Sequence, residues 1–486
     1  MSQLKILFAS SEVTPFAKTG GLADVSASLP AALASLGHQV VVVMPMYRSV
    51  MEGVFKLKLV DSLLEVPFRG RVLKDKVFYS ELSDNLAIYF VKKNEFFDRS
   101  MLYSTSEGDY FDNAERFIFF SSAILNLSQL IDFKPDIIHC NDWQTSLVPA
   151  YLRSIYKGKP FFSAARSVLT IHNLAYQGVF DSEYINISGL PLEFFSMKGF
   201  EYYGKVNFLK GGIVFADAVT TVSEKYALEI QTPEYGYGLD GVLKERKEDI
   251  FGVLNGVDYE EWNPETDSHI AANYCVDDLS GKKKCKKELM DIYKLKGSEN
   301  IPLLGIISRL AAQKGFDILA EAVDALLELG AFMVLLGTGD EIYEKQYAEI
   351  GKKHKKRFGT KIAFDNVLAH KIEAGSDMFL MPSRYEPCGL NQMYSLRYGT
   401  IPIVRATGGL DDTITEFNPQ KFEGNGFKFA DYSAKALIDE VKKALAVYKD
   451  KELWSKLAKK AMREDFSWAK SAHRYEEIYE RVKKKH

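Results

Sequence analysis

Lys18-Thr19-Gly20-Gly21-Leu22-Ala23-Asp24 is the stretch from which the fold can be read. In front of it, Lys5-Ile6-Leu7-Phe8-Ala9 is a short apolar run of the kind a parallel strand needs, because such a strand is covered on both faces. After it, Leu22, Val25, Leu29, Leu33 and Leu36 recur at three and four positions, which is one face of a helix. Strand, Gly-Gly, helix aims backbone N–H groups and the positive helix end at one spot, where an anion belongs. Lys18 adds a full charge, and the two glycines have no Cβ to keep a ligand off the backbone. A tight turn with an exposed lysine fits the same residues.

Working outward, the strand-and-loop pattern repeats. Gln39 to Pro45 reads as a second buried strand, and residues 54 to 92 as a hairpin-rich excursion at the sheet edge. Tyr103 to Phe117 crowds Asp109, Tyr110, Asp112, Asn113 and Arg116 into one segment, which also suits a well-bonded surface loop. Asp136 to Cys140 ends in Asn141-Asp142-Trp143, and Ser167 to Ile171 ends in His172-Asn173-Leu174-Ala175-Tyr176. In open α/β sheets ligands bind beyond the carboxyl ends of the strands. Three polar clusters, at Lys18, Asp142 and His172, fall at such ends. A lone histidine is usually structural, but this one shares a rim with the other two clusters.

Near residue 250 the pattern starts again. Ile250 to Leu254 leads into Asn255-Gly256, and strands follow at Pro302 to Ile307, Phe332 to Leu336, Lys361 to Phe364, Met378 to Met381 and Ile401 to Val404. This alternation predicts a second parallel sheet. Arg309 and Lys314 lie on a strand-to-helix loop, either as a second anion site or as exposed cations. Gly337-Thr338-Gly339 begins a dinucleotide fingerprint but lacks its third glycine. Arg384-Tyr385-Glu386-Pro387-Cys388-Gly389-Leu390 puts a carboxylate for hydroxyls next to backbone donors for an anion, and Thr407-Gly408-Gly409 closes the rim. The tail, Trp468 to Tyr479, reads as a helix that crosses back to the first domain.

A chain of 486 residues, 47% hydrophobic, exceeds the size of one core, so two domains are expected. A net charge of −3 leaves no footprint for nucleic acid, and the basic runs Lys282 to Lys287 and Lys352 to Arg357 read as solvated surface. The four cysteines have no zinc or redox spacing, and the N-terminus turns polar too soon for a signal peptide. Phe117 to Ile131 is interrupted by polar residues and reads as a buried helix, not a membrane span. A cytoplasmic protein without membrane partners is expected. Oligomeric state is not legible.

Taken together, the motifs Lys18 to Asp24, Asp136 to Trp143, Thr170 to Gly178, Asn255 to Asp258, Ser308 to Gly315, Glu386 to Leu390 and Thr407 to Leu410 resemble bacterial glycogen synthases and plant starch synthases, glycosyltransferase family 5. The resemblance runs nearly end to end. It implies an α/β protein of two Rossmann-like, doubly wound domains facing across a cleft, the GT-B type. Residues 1–248, joined by a C-terminal helix at about 467–486, would form the acceptor-side domain, and 249–466 the nucleotide-sugar domain. It further implies retaining transfer of glucose from ADP-glucose to the non-reducing 4-hydroxyl of an α-1,4-glucan, glycogen or a malto-oligosaccharide.

By that resemblance Glu386, His172, Arg309 and Lys314 carry catalysis. Lys18, Gly20, Gly21, Asp24, Asn255, Cys388, Gly389, Leu390, Asn391, Thr407 and Gly408 bind the donor. Tyr103, Asp142, Trp143, Asn173 and Tyr176 line the acceptor channel. No metal or other cofactor is implied, since lysine and arginine neutralise the leaving diphosphate. Asn141 stands where many relatives have histidine, Asn391 where some have threonine, and Tyr394 where related glycosyltransferases carry a second glutamate. Retention through a covalent carboxylate intermediate and attack from the leaving-group face both remain open. So do a UDP-glucose donor or another acceptor, and a polysaccharide-binding scaffold with an inactive site.

Overall fold

The structure is a computed structural model that describes residues 3–105 and 107–484. The chain divides into two compact units. The first holds the residues up to Val222, Ala227–Gly256 and the tail from Trp468; the second holds Ser223–Tyr226 and Val257–Ser467.

The first unit is built on a nine-stranded sheet. Its strand order is Ile250–Gly252, Ala218–Thr221, Arg166–Ile171, Ile137–Asn141, Lys5–Ala9, Gln39–Pro45, Leu86–Val91, Val77–Ser83 and Lys58–Leu59. From Ile250–Gly252 through Leu86–Val91 every pairing is parallel. The last two strands run antiparallel at the edge, where residues 54 to 92 were expected to make hairpins. Val40 to Met44 are buried throughout, which is why this strand reads as a continuous apolar run and not as an alternating one. The helix Gly21–Ser35 buries Leu22, Val25, Leu29 and Leu33, the face their spacing predicted. The helix Asn113–Leu130 is likewise buried along most of its length.

The strand Ile250–Gly252 corrects the sequence reading. It was taken as the start of the second domain, yet it pairs with Ala218–Thr221 in the first sheet, and the change of unit comes at Gly256/Val257. A three-residue strand carries no signal of which sheet will accept its hydrogen bonds. The tail helix Trp468–Lys483 returns to the first unit. Ser471 Oγ donates to the Leu254 carbonyl at 2.6 Å, and the Tyr479 hydroxyl meets His139 Nδ1 at 2.6 Å. Burial pushes the His139 pKa down to about 3, so this imidazole is a neutral structural bridge that also meets Thr170 Oγ1 at 2.6 Å.

The second unit has a six-stranded, wholly parallel sheet in the order Phe358–Ile362, Phe332–Gly337, Leu303–Ile307, Met378–Met381, Ile401–Arg405 and Phe427–Phe429. On the helix Phe316–Glu328, Ile318, Leu319, Ala322, Val323, Leu326 and Leu327 are all buried against this core. The basic run at residues 282–287 is only partly solvated, contrary to its charge pattern. Lys282 Nζ donates to Thr400 Oγ1 at 2.7 Å and to the carbonyls of Ala374 and Tyr398, both at 3.0 Å, while Lys286 pairs with Asp377 at 2.6 Å. These two lysines are four apart on one helix and face inward, where backbone carbonyls and a carboxylate replace water. Among the described residues no helix is long and apolar enough to cross a membrane.

Candidate active site

In each of the two large sheets the strand order reverses at one place, and several of the predicted site residues follow the strands there. In the first unit the reversal lies between Lys5–Ala9 and Ile137–Asn141: successive strands are added on one side of Lys5–Ala9 through Gln39–Pro45, then on the other through Arg166–Ile171. Such a switch point opens a crevice at the carboxyl ends of the strands. Glu12, Asp142 and His172 follow three adjacent strands at that crevice.

The glycine loop is organised by a residue that the sequence reading missed. Glu12 accepts hydrogen bonds from the Thr19 and Gly20 amides, from Thr19 Oγ1 at 2.6 Å and from the Tyr103 hydroxyl at 2.8 Å. The amides expected to receive a ligand's anion therefore hold an internal carboxylate. Lys18 in turn pairs with Asp24 at 2.7 Å, and Thr14 Oγ1 donates to the same oxygen at 3.2 Å. Nothing in the local pattern Ser11-Glu12-Val13 marks this role, since it depends on a loop that doubles back and on a tyrosine ninety-one positions away.

His172 is fixed from both ends. Its backbone N–H donates to Asp142 Oδ1 at 2.7 Å, and its Nε2 meets Asn141 Oδ1 at 2.9 Å. Because Asn141 Nδ2 donates to the Ala9 carbonyl at 2.9 Å, Oδ1 is the acceptor and the ring proton sits on Nε2, leaving a lone pair on Nδ1. Burial pushes the His172 pKa down to about 3, so the ring is neutral and suited to accepting a hydroxyl proton's hydrogen bond. Burial raises Asp142 to about 7, against the amide hydrogen bonds from His172 and Asn173 and with a further upward push from Glu12. Asn173 and Tyr176 occupy the turn that follows, with Asn173 Oδ1 accepting from the Ala175 amide at 3.0 Å. Trp143 is only 8% exposed, its ring 4.9 Å from Phe117 and 5.5 Å from Phe180, so it belongs mainly to the core and offers little lining surface. Asn255 is buried and lies in the first unit.

In the second unit the reversal lies between Leu303–Ile307 and Met378–Met381. The loops after these two strands carry Arg309, Lys314 and Glu386. Lys314 Nζ donates to both oxygens of Glu386, at 2.8 and 2.7 Å, and Ser383 Oγ donates to Glu386 Oε2 at 3.0 Å. Glu386 is 5% exposed, so its charge is neutralised almost wholly by this one ammonium. Arg309 is exposed at the head of the same loop. Asn391 Nδ2 donates to the Ile307 carbonyl at 2.8 Å, and Gln392 Nε2 to the Cys388 carbonyl at 3.1 Å, which hold the Cys388-Gly389-Leu390 backbone against the sheet end.

The Thr407-Gly408-Gly409 turn supports the carboxylate loop from below. The Gly409 amide donates to the carbonyls of Glu386 and Pro387, each at 3.1 Å. Gly408 has φ +45°, and a Cβ there would stand 2.0 Å from the Glu386 carbonyl oxygen. Gly408→Ala is therefore expected to destabilise the protein by roughly 2 to 4 kcal/mol, a left-handed penalty added to an overpacking cost. Thermal unfolding with parallel rate assays should show activity falling further than the lost folded fraction explains.

Two known families match the chain. The starch synthase catalytic domain family matches residues 5–245, and the glycosyl transferases group 1 family matches residues 290–461. A glycogen synthase of Koribacter versatilis is 50% identical over 99% of this chain and 98% of its own length. The chain belongs to the glycogen and starch synthase family. A second relative, the glycogen synthase of Thermosipho africanus, is 45% identical over 99% of both chains. The catalytic domain of starch synthase IV from Arabidopsis thaliana, solved bound to ADP and acarbose, superposes with a TM-score of 0.91 at 36% identity, over 99% of this chain and all of that one. A sucrose-phosphate synthase from Thermosynechococcus elongatus shares the fold, with a TM-score of 0.61 at 15% identity. As a member of this family the protein is a glycosyltransferase of the GT-B fold.

Proposed function

We propose that this family member transfers glucose from ADP-glucose to the non-reducing 4-hydroxyl of an α-1,4-glucan with retention of configuration, and that it does so in the cytoplasm without a resident metal. The observation that carries the reading is the Lys314–Glu386 pair at the switch point of the second unit. Breaking the glucosyl–phosphate bond leaves positive charge on the sugar and negative charge on the diphosphate. A fixed ammonium beside a fixed carboxylate matches both. Arg309 and Lys314 take the phosphate charge, with Lys18 assisting; Glu386 and His172 face the sugar; Asp142, Asn173 and Tyr176 receive the acceptor.

Both Glu386 oxygens are engaged by Lys314, and one also by Ser383. That engagement favours a stabilising carboxylate over a nucleophile, so the acceptor oxygen attacks from the leaving-group face. The new glycosidic C–O bond forms as the bond to the diphosphate breaks, and the acceptor's proton passes to the departing phosphate oxygen. None of Cys140, Cys275, Cys285 and Cys388 is in a disulfide, which agrees with a reducing compartment.

Incorporation of radiolabelled glucose into glycogen, from ADP-glucose and from UDP-glucose side by side, tests the reading. The ADP-linked donor is expected to be used preferentially, with a rate unchanged by EDTA. Preference for UDP-glucose, or no incorporation from either, overturns it.

A further inference from the structure

Three rings of the second unit, outside the groups given a role so far, lie in one stack. Trp262 is 9% exposed; its ring centroid stands 3.9 Å from that of His370 at an interplanar angle of 7°, and 4.0 Å from that of Tyr394 at 4°. Two rings so close and so nearly parallel have no room side by side on one face of the indole, so Trp262 is held between them. The three come from separate parts of the chain. Trp262 follows the change of unit at Gly256/Val257, His370 is on the helix Asn366–Gly375, and Tyr394 is on the helix Asn391–Arg397.

Hydrogen bonds close the stack into a circuit. His370 Nδ1 donates to Asp267 Oδ2 at 2.8 Å, the Tyr398 hydroxyl donates to the same oxygen at 2.6 Å, and the His269 amide donates to Asp267 Oδ1 at 2.8 Å. Burial alone would raise the Asp267 carboxyl, but these hydrogen bonds bring it below its ordinary value, so a carboxylate stands at the join. His370 Nε2 is buried with no hydrogen-bond partner among the described residues. An unsatisfied ring nitrogen is a cost, so what this place uses is the flat face of the ring and its Nδ1. The circuit then returns to the helix that carries Tyr394. The Tyr398 amide donates to the Tyr394 carbonyl at 2.9 Å, and the Tyr394 amide to the Leu390 carbonyl at 3.0 Å. Arg397 Nη2 adds a bond to Asn263 Oδ1 at 2.9 Å. The segment from Trp262 to Asp267 thus grips the helix Asn391–Arg397 around its last turn, and the Cys388-Gly389-Leu390 loop leads into its first.

We propose that Trp262 and Tyr394 are positioning residues for the sugar-nucleotide donor: their stack fixes the helix Asn391–Arg397 and, through it, the Cys388-Gly389-Leu390 backbone assigned to the donor. This rests on the transferase reading above and adds the groups that hold its donor loop in place. A ring held on both faces can neither tilt nor slide without losing contact. Slack at Tyr394 passes through a single backbone hydrogen bond to Leu390. A shift of about 1 Å in a donor-holding group is enough to cost up to about 10²-fold in rate. Asp142 and Asn173, which receive the acceptor, belong to the other unit, so loosening the stack acts on the donor and not on the glucan.

The test uses Trp262→Leu, Trp262→Phe, Tyr394→Leu and Tyr394→Phe in the full chain, with ADP-glucose and glycogen each varied and with calorimetric titration of ADP. Tyr394 is only partly buried, so its leucine variant keeps the question open to measurement even if Trp262→Leu fails to fold. In the leucine variants KM for ADP-glucose and Kd for ADP are expected to rise roughly tenfold or more, while KM for glycogen stays within about twofold. The phenylalanine variants keep a ring in the stack and should stay within about threefold of the parent in all three constants. Folded leucine variants with the parent's donor constants overturn the proposal. So does an equal rise in KM for glycogen, and so do phenylalanine variants no better than leucine, because bulk alone would then be what the place requires. A parent that neither binds ADP nor transfers glucose from ADP-glucose overturns the function reading and this proposal with it; a parent that does both, beside unchanged leucine variants, overturns the proposal alone.

Discussion

Lys314→Ala is expected to lower kcat by about two to three orders of magnitude, the loss that follows removal of one group stabilising a developing negative charge. The structure sharpens what that experiment must separate. Lys314 is the ammonium that neutralises Glu386, and Glu386 is almost fully buried, so the substitution removes a leaving-group cation and also leaves a carboxylate with only the Ser383 hydroxyl. Breaking a buried ion pair from one side costs about 3 to 5 kcal/mol, and the partial exposure of Lys314 reduces that figure. The double variant Lys314→Ala/Glu386→Gln distinguishes the effects. Stability, measured by urea denaturation, should recover most of the loss in the double variant, because no unpaired charge remains. Turnover should not recover. Lys314→Arg should retain stability and regain only part of the rate, since a planar guanidinium cannot place a point charge where the ammonium sits. Full activity in folded Lys314→Ala would remove Lys314 from the chemistry.

The same pair shows how far a sequence can be read. Lys314 and Glu386 were each legible as loop residues beyond parallel strands, because buried strands leave continuous apolar runs and the polar residues that follow them stand out. Their mutual hydrogen bonds were not, since the loops are seventy-two positions apart and meet only because Leu303–Ile307 and Met378–Met381 are neighbours in the sheet. Glu12 was invisible for the same reason. Its partners at Thr19, Gly20 and Tyr103 come from a local turn and from a distant segment, and neither leaves a pattern around residue 12. Periodicity failed where elements were short or charges faced inward. The strand Ile250–Gly252 is too brief to reveal its sheet, and Lys282 and Lys286 satisfy carbonyls and a carboxylate that composition cannot foresee.

Asp142→Asn is expected to abolish an acidic limb in the pH–rate profile and to lower kcat/KM for the acceptor by about 10² or more. Asp142 combines two unfavourable features. Its backbone is at φ 53°, ψ −172°, a region natural to glycine, and its carboxyl is raised to about 7 by burial. Neither helps folding. The native state binds a proton at pH values where the unfolded chain, with an ordinary aspartate near 3.8, does not. Stability therefore falls as pH rises from about 4 to about 7 and levels off above. Asparagine does not titrate, so the stability of the variant relative to the parent should grow across that same window, by an amount on the order of 4 kcal/mol, read from denaturation at pH 4, 6 and 8. For activity the order is reversed: the charged form orients the acceptor, so the parent's rate should rise through an apparent pKa near 7. His172 cannot supply that limb, because its own pKa is depressed to about 3. A limb near 7 that survives in Asp142→Asn would transfer the titration to another group and take Asp142 out of the acceptor site; its disappearance would identify a carboxylate kept at a cost to folding because the transfer needs its charge.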